Sequence, residues 1–263
     1  MTSGYCQFPR PLKKTLVEPL HYSSLALDTS GKACSIALTY NGRLYESSEE
    51  IERQQAKYIL PRINSLLQQS KLTLKQLDFI AFCAGPGSFT GIRLAASIVQ
   101  GLAFGANLPV IPVSTLQAIA QTAYNIYRAA QIVVAINAYA GKIYWGVYKI
   151  SEGHMLPMFP DSMCSPEAAF LPNADSSQWI GVGDGWRAYP GLFRKEIGIQ
   201  SICDNLQYPK AKDIVYLAQS DYKAGKHVSA QQALPLYLYG ADCWSKPKVE
   251  VLRSALTAGN PPN

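Results

Sequence analysis

CAGPGSFTGIRLAASIVQGLAFG, residues 83–105, ends an apolar strand, turns through Gly-Pro-Gly and opens a helix with almost no polar side. A glycine-rich loop in front of a helix lets backbone N–H groups approach an anion, with Ser88 as N-cap. Yet Gly85, Gly87 and Gly91 are spaced GxGxxxG, and Ile92-Arg93 stands where a Walker loop carries Lys-Ser/Thr. Neither that fingerprint nor the dinucleotide GxGxxG is met. On a helical wheel the apolar and glycine positions cover most of the circumference, leaving Arg93, Ser97 and Gln100 as a thin stripe beside Ala96 and Phe104. A helix this apolar must be covered on more than one side. The cover is either the preceding helix or another protein, and the loop either cradles a phosphate or aims the helix.

Upstream, SSLALDTSGKACSIALTYNGRLYES reads as three strands: an apolar run at 25–27, alternation through Cys34, Ile36 and Leu38, and an Asn41-Gly42 hairpin into 43–47. Residues 54–70 place Ala56, Ile59, Leu60, Ile63, Leu66 and Leu67 at helical spacing, with Pro61 expected to kink the helix or mark an early turn. After a short helical stretch at 73–77, FIAFCAG is a strand apolar on both faces. PVIPVS adds a strand and 115–128 a helix, so residues 24–128 form a mixed sheet with crossover helices.

The next segment repeats the plan. VVAINAYAGKIYWGVYKI (133–150) parallels SLALDTSGKACSIALTY, with Asn137 at the position of Asp28, and WIGVGDGW parallels FCAGPGS, each a strand ending in Gly-x-Gly. Two halves of like α/β plan are implied: an N-terminal subdomain at 23–129 and a C-terminal one at 130–245, flanked by a flexible extension (1–22) and a tail (246–263). A cleft between such halves is a natural nucleotide site. Asp28, followed by Thr29-Ser30-Gly31-Lys32, is placed either to orient a metal-bound phosphate or water, or to close a turn through backbone N–H groups. Its counterpart Asn137 can neither act as a base nor neutralise a cation, so a two-carboxylate cleft is half dismantled. The cleft set read from sequence is Asp28, Ser30, Gly85, Gly87, Ser88, Asn137, Gly181 and Gly183. No GxSxG elbow surrounds Ser88, and no Ser-His-Asp or Cys-His set assembles from local cues.

Composition narrows the classes. With 48% hydrophobic and 16% charged residues in 263, the chain is expected to fold as one large or two modest domains. No apolar run reaches the ~20 residues of a membrane helix, so a soluble, cytoplasmic protein is expected. A net charge of +6 suits an acidic partner, but the basic residues are scattered. Cysteines at 6, 34, 83, 164, 203 and 243 form no CxxC pair, and His21, His154 and His227 form no HExxH, so no metal site is expected.

LALDTSGKACSIAL, ILPRINSLL, AGPGSFTGIRLAASIVQGLAFG, PVIPVSTLQAIA, GKIYWGVY, VGDGW and PLYLYGADCW together resemble, in order and over roughly residues 24–245, the bacterial TsaB (YeaZ-like) proteins of tRNA threonylcarbamoyladenosine biosynthesis. The resemblance implies a duplicated actin-like, sugar-kinase-like (ASKHA) α/β fold whose nucleotide cleft has decayed. It further implies a non-catalytic subunit that stabilises a TsaD-like transferase, works with a TsaE-like ATPase, meets tRNA indirectly through the complex, and carries no cofactor of its own, ATP or ADP at a complex interface being compatible. Carried over by position, the partner surface includes Ile59, Arg62, Ile63 and Leu66 on the first helix and Arg93, Ala96, Ser97 and Gln100 on the second. A homodimer through the same helices is equally compatible. An Ala96→Arg variant is then expected to weaken association without unfolding. Departures from the family pattern stand at Gln55, where relatives often carry His, at Asn137-Ala138-Tyr139, where they often carry Asp-Ala-Arg, and at Tyr239, where Arg is frequent; each removes charge from the cleft side. The rival class is a nucleotide-dependent phosphotransferase or hydrolase using Asp28 and the GxG loops. A peptidase would rest on kinship of fold alone.

Overall fold

The alternation of apolar residues in the first fifty positions becomes a three-stranded meander. β1 (Ser24–Asp28) pairs antiparallel with β2 (Ala33–Tyr40), and β2 with β3 (Arg43–Glu50). Asn41 and Gly42 both have positive φ (48° and 71°), the backbone a tight hairpin requires. The computed structural model describes residues 20–51, 54–171, 179–189, 199 and 201–238. Most of the expected N-terminal extension, the tail at 246–263, Tyr239, Cys6 and Cys243 lie outside them. Residues 20–22, assigned to the extension, are packed: Tyr22 meets the rings of Phe79 and Tyr222, and the His21 N–H donates to Gln219.

Helix α1 (Gln55–Ser70) runs through Pro61 without a break. A 3-10 turn at Leu74–Gln76 leads to β4 (Phe79–Gly85), buried along its whole length. Helix α2 (Phe89–Ala106) and β5 (Val110–Ser114) complete a sheet of order β3-β2-β1-β4-β5, in which β4 is parallel to β1 and β5 to β4. Helix α3 (Thr115–Tyr127) then leads into the second copy. There β6 (Gln131–Asn137), β7 (Ile143–Ser151) and β8 (His154–Pro157) form the meander, and β10 (Trp179–Val182) and β11 (Ser201–Cys203) add in parallel. The order β11-β10-β6-β7-β8 matches that of the first sheet strand for strand, with β9 (Ser162–Cys164) an addition on β7. The duplicated α/β plan is therefore present, down to Asp28 and Asn137 closing equivalent strands.

Strand alternation sorts the core into layers. Leu25, Leu27, Ile80 and Phe82 face α1 and α2, which supply Ile59, Ile63, Leu66, Ala95, Ala96 and Val99. The opposite face of that sheet, with Ala26, Phe79, Ala81 and Val113, packs on Ile214, Val215 and Ala218 of helix α5 (Ala211–Lys223). In the second sheet Ile132, Val134 and Val182 meet Leu116, Ile119 and Ala123 of α3, while Val133, Ala135, Trp145 and Trp179 form a core with Trp186 of the short helix α4 (Gly185–Ala188).

The two inner helices are exchanged relative to the division at residue 129/130. Helix α3, reached before the second copy begins, is held to the β7–β8 hairpin by Gln121, whose amide donates to Gly153 O and whose oxygen accepts the Met155 N–H. Helix α5, reached after it, covers the first sheet, and the Ala211 N–H donates to the Ser35 hydroxyl of β2. Asp213 of α5 accepts from Thr122 and Asn125 of α3, tying the pair at the centre. The layers alternate sheet, helices, sheet because each inner face must be covered before the halves meet.

Candidate functional site: an interdomain cleft

Between the β1–β2 turn, the α2 loop, the β6–β7 turn and the chain after α5 lies an open cleft of about 1020 Å³. Of the residues expected there, Ser30, Gly87, Ser88 and Asn137 line it. Asp28, Gly85, Gly181 and Gly183 do not. Gly181 lies inside β10 opposite Val133, with the Trp186 ring against its Cα, so the strand-end equivalent of Gly85 (φ 127°) is Gly183 (φ 104°).

The glycine loop is packed rather than open. A Cβ on Gly87 would lie 2.6 Å from Ser30 O, and one on Gly91 would overlap the Thr29 carbonyl. The Thr29 hydroxyl donates to Gly91 O at 2.7 Å, locking the helix start to the β1–β2 turn. Three of the loop's N–H groups are engaged internally: Ser88 N donates to Ser30 O, Gly91 N to the Ser88 hydroxyl, and Ile92 N to Ser88 O. Ser88 is the N-cap, as its position implies.

Asp28 is fully buried. Its Oδ1 accepts the Ser30 N–H at 3.0 Å, the turn-closing role, and Oδ2 has no oxygen or nitrogen partner. Burial raises its pKa to about 6, partly offset by its bonds to Ser30. A carboxylate sealed behind its own turn holds neither a solvent-borne cation nor a reacting hydroxyl. The linkage has a definite sign: the folded state binds the proton more tightly than the unfolded chain, so Asp28 costs no stability below pH ~4 and progressively more as pH rises through 6. Asp28→Asn, which keeps the acceptor for Ser30, is expected to gain about 3 kcal/mol over wild type at pH 7–8, the gain fading by pH 4. Thermal melts of both proteins across that range check it; parallel pH profiles would refute it.

Apart from Gln55, singled out above as a departure from the family pattern, the following cleft residues carried no sequence signal. Asp184 lines the wall beside Asn137 and accepts its backbone N–H at 2.8 Å. Thr115, at the start of α3, lines it with a buried hydroxyl that has no oxygen or nitrogen partner and lies against the Cys83 thiol. Gln55 lines it and donates to Gly31 O. Tyr208 packs its ring against Gly31, and Leu236–Leu238 close the mouth, Leu236 N donating to Ala84 O at 2.7 Å. Among the described residues no three His, Cys, Asp or Glu side chains gather as a metal site.

The expected partner surface divides. Ile59, Ile63, Leu66 and Ala96 are 0%, 2%, 3% and 3% exposed, because they form the stripes by which α1 and α2 grip the sheet. They are core, and Ala96→Arg would unfold the chain. Arg62 is paired with Glu49 and bonded to Ser47 on β3. Arg93 lies over the Phe89 ring at 3.5 Å and donates to the Tyr237 hydroxyl at 2.6 Å. Gln100 donates to Ala233 O, so residues 230–238 form a strap across one flank of α2. That strap is part of the cover the apolar helix demanded. What stays exposed on α2 is one face: Phe89, Thr90, Arg93, Ser97, Gly101, Phe104 (71%) and Gly105. Helix α2 also has the length and apolar composition to cross a membrane, the one such helix among the described residues; here its opposite face is core.

Residues 47–242 match the family model described as TsaD: tRNA N6-adenosine threonylcarbamoyltransferase. The tRNA threonylcarbamoyladenosine biosynthesis protein TsaB of Haemophilus influenzae is 39% identical over 230 residues, covering 84% of this chain and 95% of that protein. The Escherichia coli K12 protein of the same name is 36% identical over 224 residues, covering 84% and 96%. Two solved structures from Pseudomonas aeruginosa share the fold at 38% identity: one described as similar to peptidase YEAZ, with TM-score 0.79 over 83% of this chain and 100% of the other, and one named YeaZ, with TM-score 0.77 over 82% and 100%. Identities of 36–39% over 84% of the chain, with a family model matched over residues 47–242, show that the chain belongs to the TsaB (YeaZ-like) family.

Proposed function

We propose that this protein serves tRNA threonylcarbamoyladenosine biosynthesis as a non-catalytic subunit that binds and stabilises a TsaD-type transferase. The observation that carries the reading is the exposed face of α2, where Ser97, Gly101 and Gly105 leave open space beside a Phe104 ring 71% exposed. Small residues let a partner helix approach closely, and the aromatic gives it something to bury. Ala56 and Leu94 line the same cleft, setting the start of α1 near the α2 face, with Leu60 half exposed one turn on. A partner built on the same fold has equivalent helices to offer. The buried Asp28, bonded to its own turn, and the tightly packed glycine loop support a binding role over the phosphotransferase alternative. In this reading the chain needs no cofactor of its own, a TsaE-type ATPase joins the assembly, and a homodimer would compete for the same face.

Co-expression with the TsaD-type protein of the same organism, followed by size exclusion at micromolar concentration, tests the proposal. Co-elution is expected; separate elution would overturn it.

A further inference from the structure

The cleft walls share a chemistry that the packed loop and sealed carboxylate do not use: they are aromatic. Tyr139, 60% exposed on the β6–β7 turn, and Tyr144 on β7 line one side. Phe89 and Tyr237 line the other, their ring centroids 6.0 Å apart with the Arg93 guanidinium over Phe89. Tyr208 lines the cleft with its ring against Gly31, and Lys32 lines the same opening. Flat rings on opposing walls suit a flat ligand, and the N–H groups of Ser88, Gly91 and Ile92 are already bonded internally. Stacking of nucleobases on aromatic side chains with one or two cations for the backbone is how single-stranded nucleic acid is gripped without sequence readout. A duplex would not enter, because its bases are already stacked.

We propose that this cleft receives an unstacked base of a single-stranded RNA loop, with Tyr139 as the principal stacking ring. The inference rests on the reading that the chain serves tRNA modification, and it assigns to this subunit a direct contact with the RNA. The full-length protein is titrated, by fluorescence anisotropy, into a labelled anticodon stem-loop RNA and into a blunt RNA duplex, with AMP and ATP as competitors. Tighter binding of the stem-loop than of the duplex is expected. Tyr139→Ala should weaken it about tenfold, the scale of one lost base stack, and Tyr139→Phe should retain it. Unchanged affinity in Tyr139→Ala, equal binding of the duplex, or displacement by AMP or ATP at concentrations matching the stem-loop would each overturn the proposal, the last by marking a free-nucleotide site. Co-elution of Tyr139→Ala with the TsaD-type subunit is measured in parallel. Retained co-elution without an effect on RNA defeats this inference alone; loss of co-elution by the wild-type chain defeats the assembly reading instead.

Discussion

Gly91→Ala is expected to destabilise the protein by about 3 kcal/mol, at the upper end of overpacking effects. The added methyl overlaps the Thr29 carbonyl, a backbone atom that cannot rotate away. Nor can the helix slide, because the Thr29 hydroxyl is bonded to Gly91 O and the Ser88 N–H to Ser30 O. Moving the start of α2 would drag Ala95, Ala96 and Val99 out of the core they share with Leu27 and Phe82. Gly101→Ala on the same helix should act with opposite sign. Nothing lies within 4 Å of its Cβ position, so alanine's helix preference should stabilise by about 0.5–1 kcal/mol. Urea midpoints of the two variants decide the matter: similar shifts for both would show that close packing is not why the loop is glycine-rich.

Gly101→Arg is expected to weaken association with the TsaD-type subunit by about a hundredfold or more, the scale of a central interface residue, while leaving the melting temperature close to wild type. The position faces open space, and so does neighbouring Ser97, where arginine should act alike. Ala96→Arg makes the contrast, since a guanidinium forced among Ile59, Val99 and Phe82 should abolish folding before association can be measured. Titration calorimetry on folded variants reads the first effect and circular dichroism the second. Undiminished affinity in both Gly101→Arg and Ser97→Arg would remove the α2 face from the assembly.

Local patterns in the sequence carried the strands of the first sheet and β6, β7 and β10 of the second, the Asn41-Gly42 hairpin, both long outer helices and the internal duplication, because each follows from alternation, helical spacing or turn chemistry within a few residues; β8, β9, β11 and helix α5 were not read. They could not say which face of α1 meets the sheet. Ile59, Ile63 and Leu66 form the most regular apolar stripe in the chain, and regularity marks core; a resemblance places a helix without resolving its buried side. The strap over α2 went unseen because residues 230–238 have no periodic signature and act through backbone groups, Ala233 O and Leu236 N among them. Asp28 was legible as a strand-end carboxylate with two readings, and only its complete burial separated turn closure from catalysis. The aromatic walls are scattered from Phe89 to Tyr237, and no window of sequence brings them together.

The crossing of α3 and α5 sets a schedule for synthesis. As the chain leaves the ribosome, all five strands of the first sheet are available once Ser114 has emerged, yet the helix that shields one of its faces is not complete until Lys223. The nascent protein therefore carries an uncovered apolar sheet through the translation of its entire second half. Neither half is a unit that can finish folding first, and the duplication visible in the strands is not a duplication of independent domains.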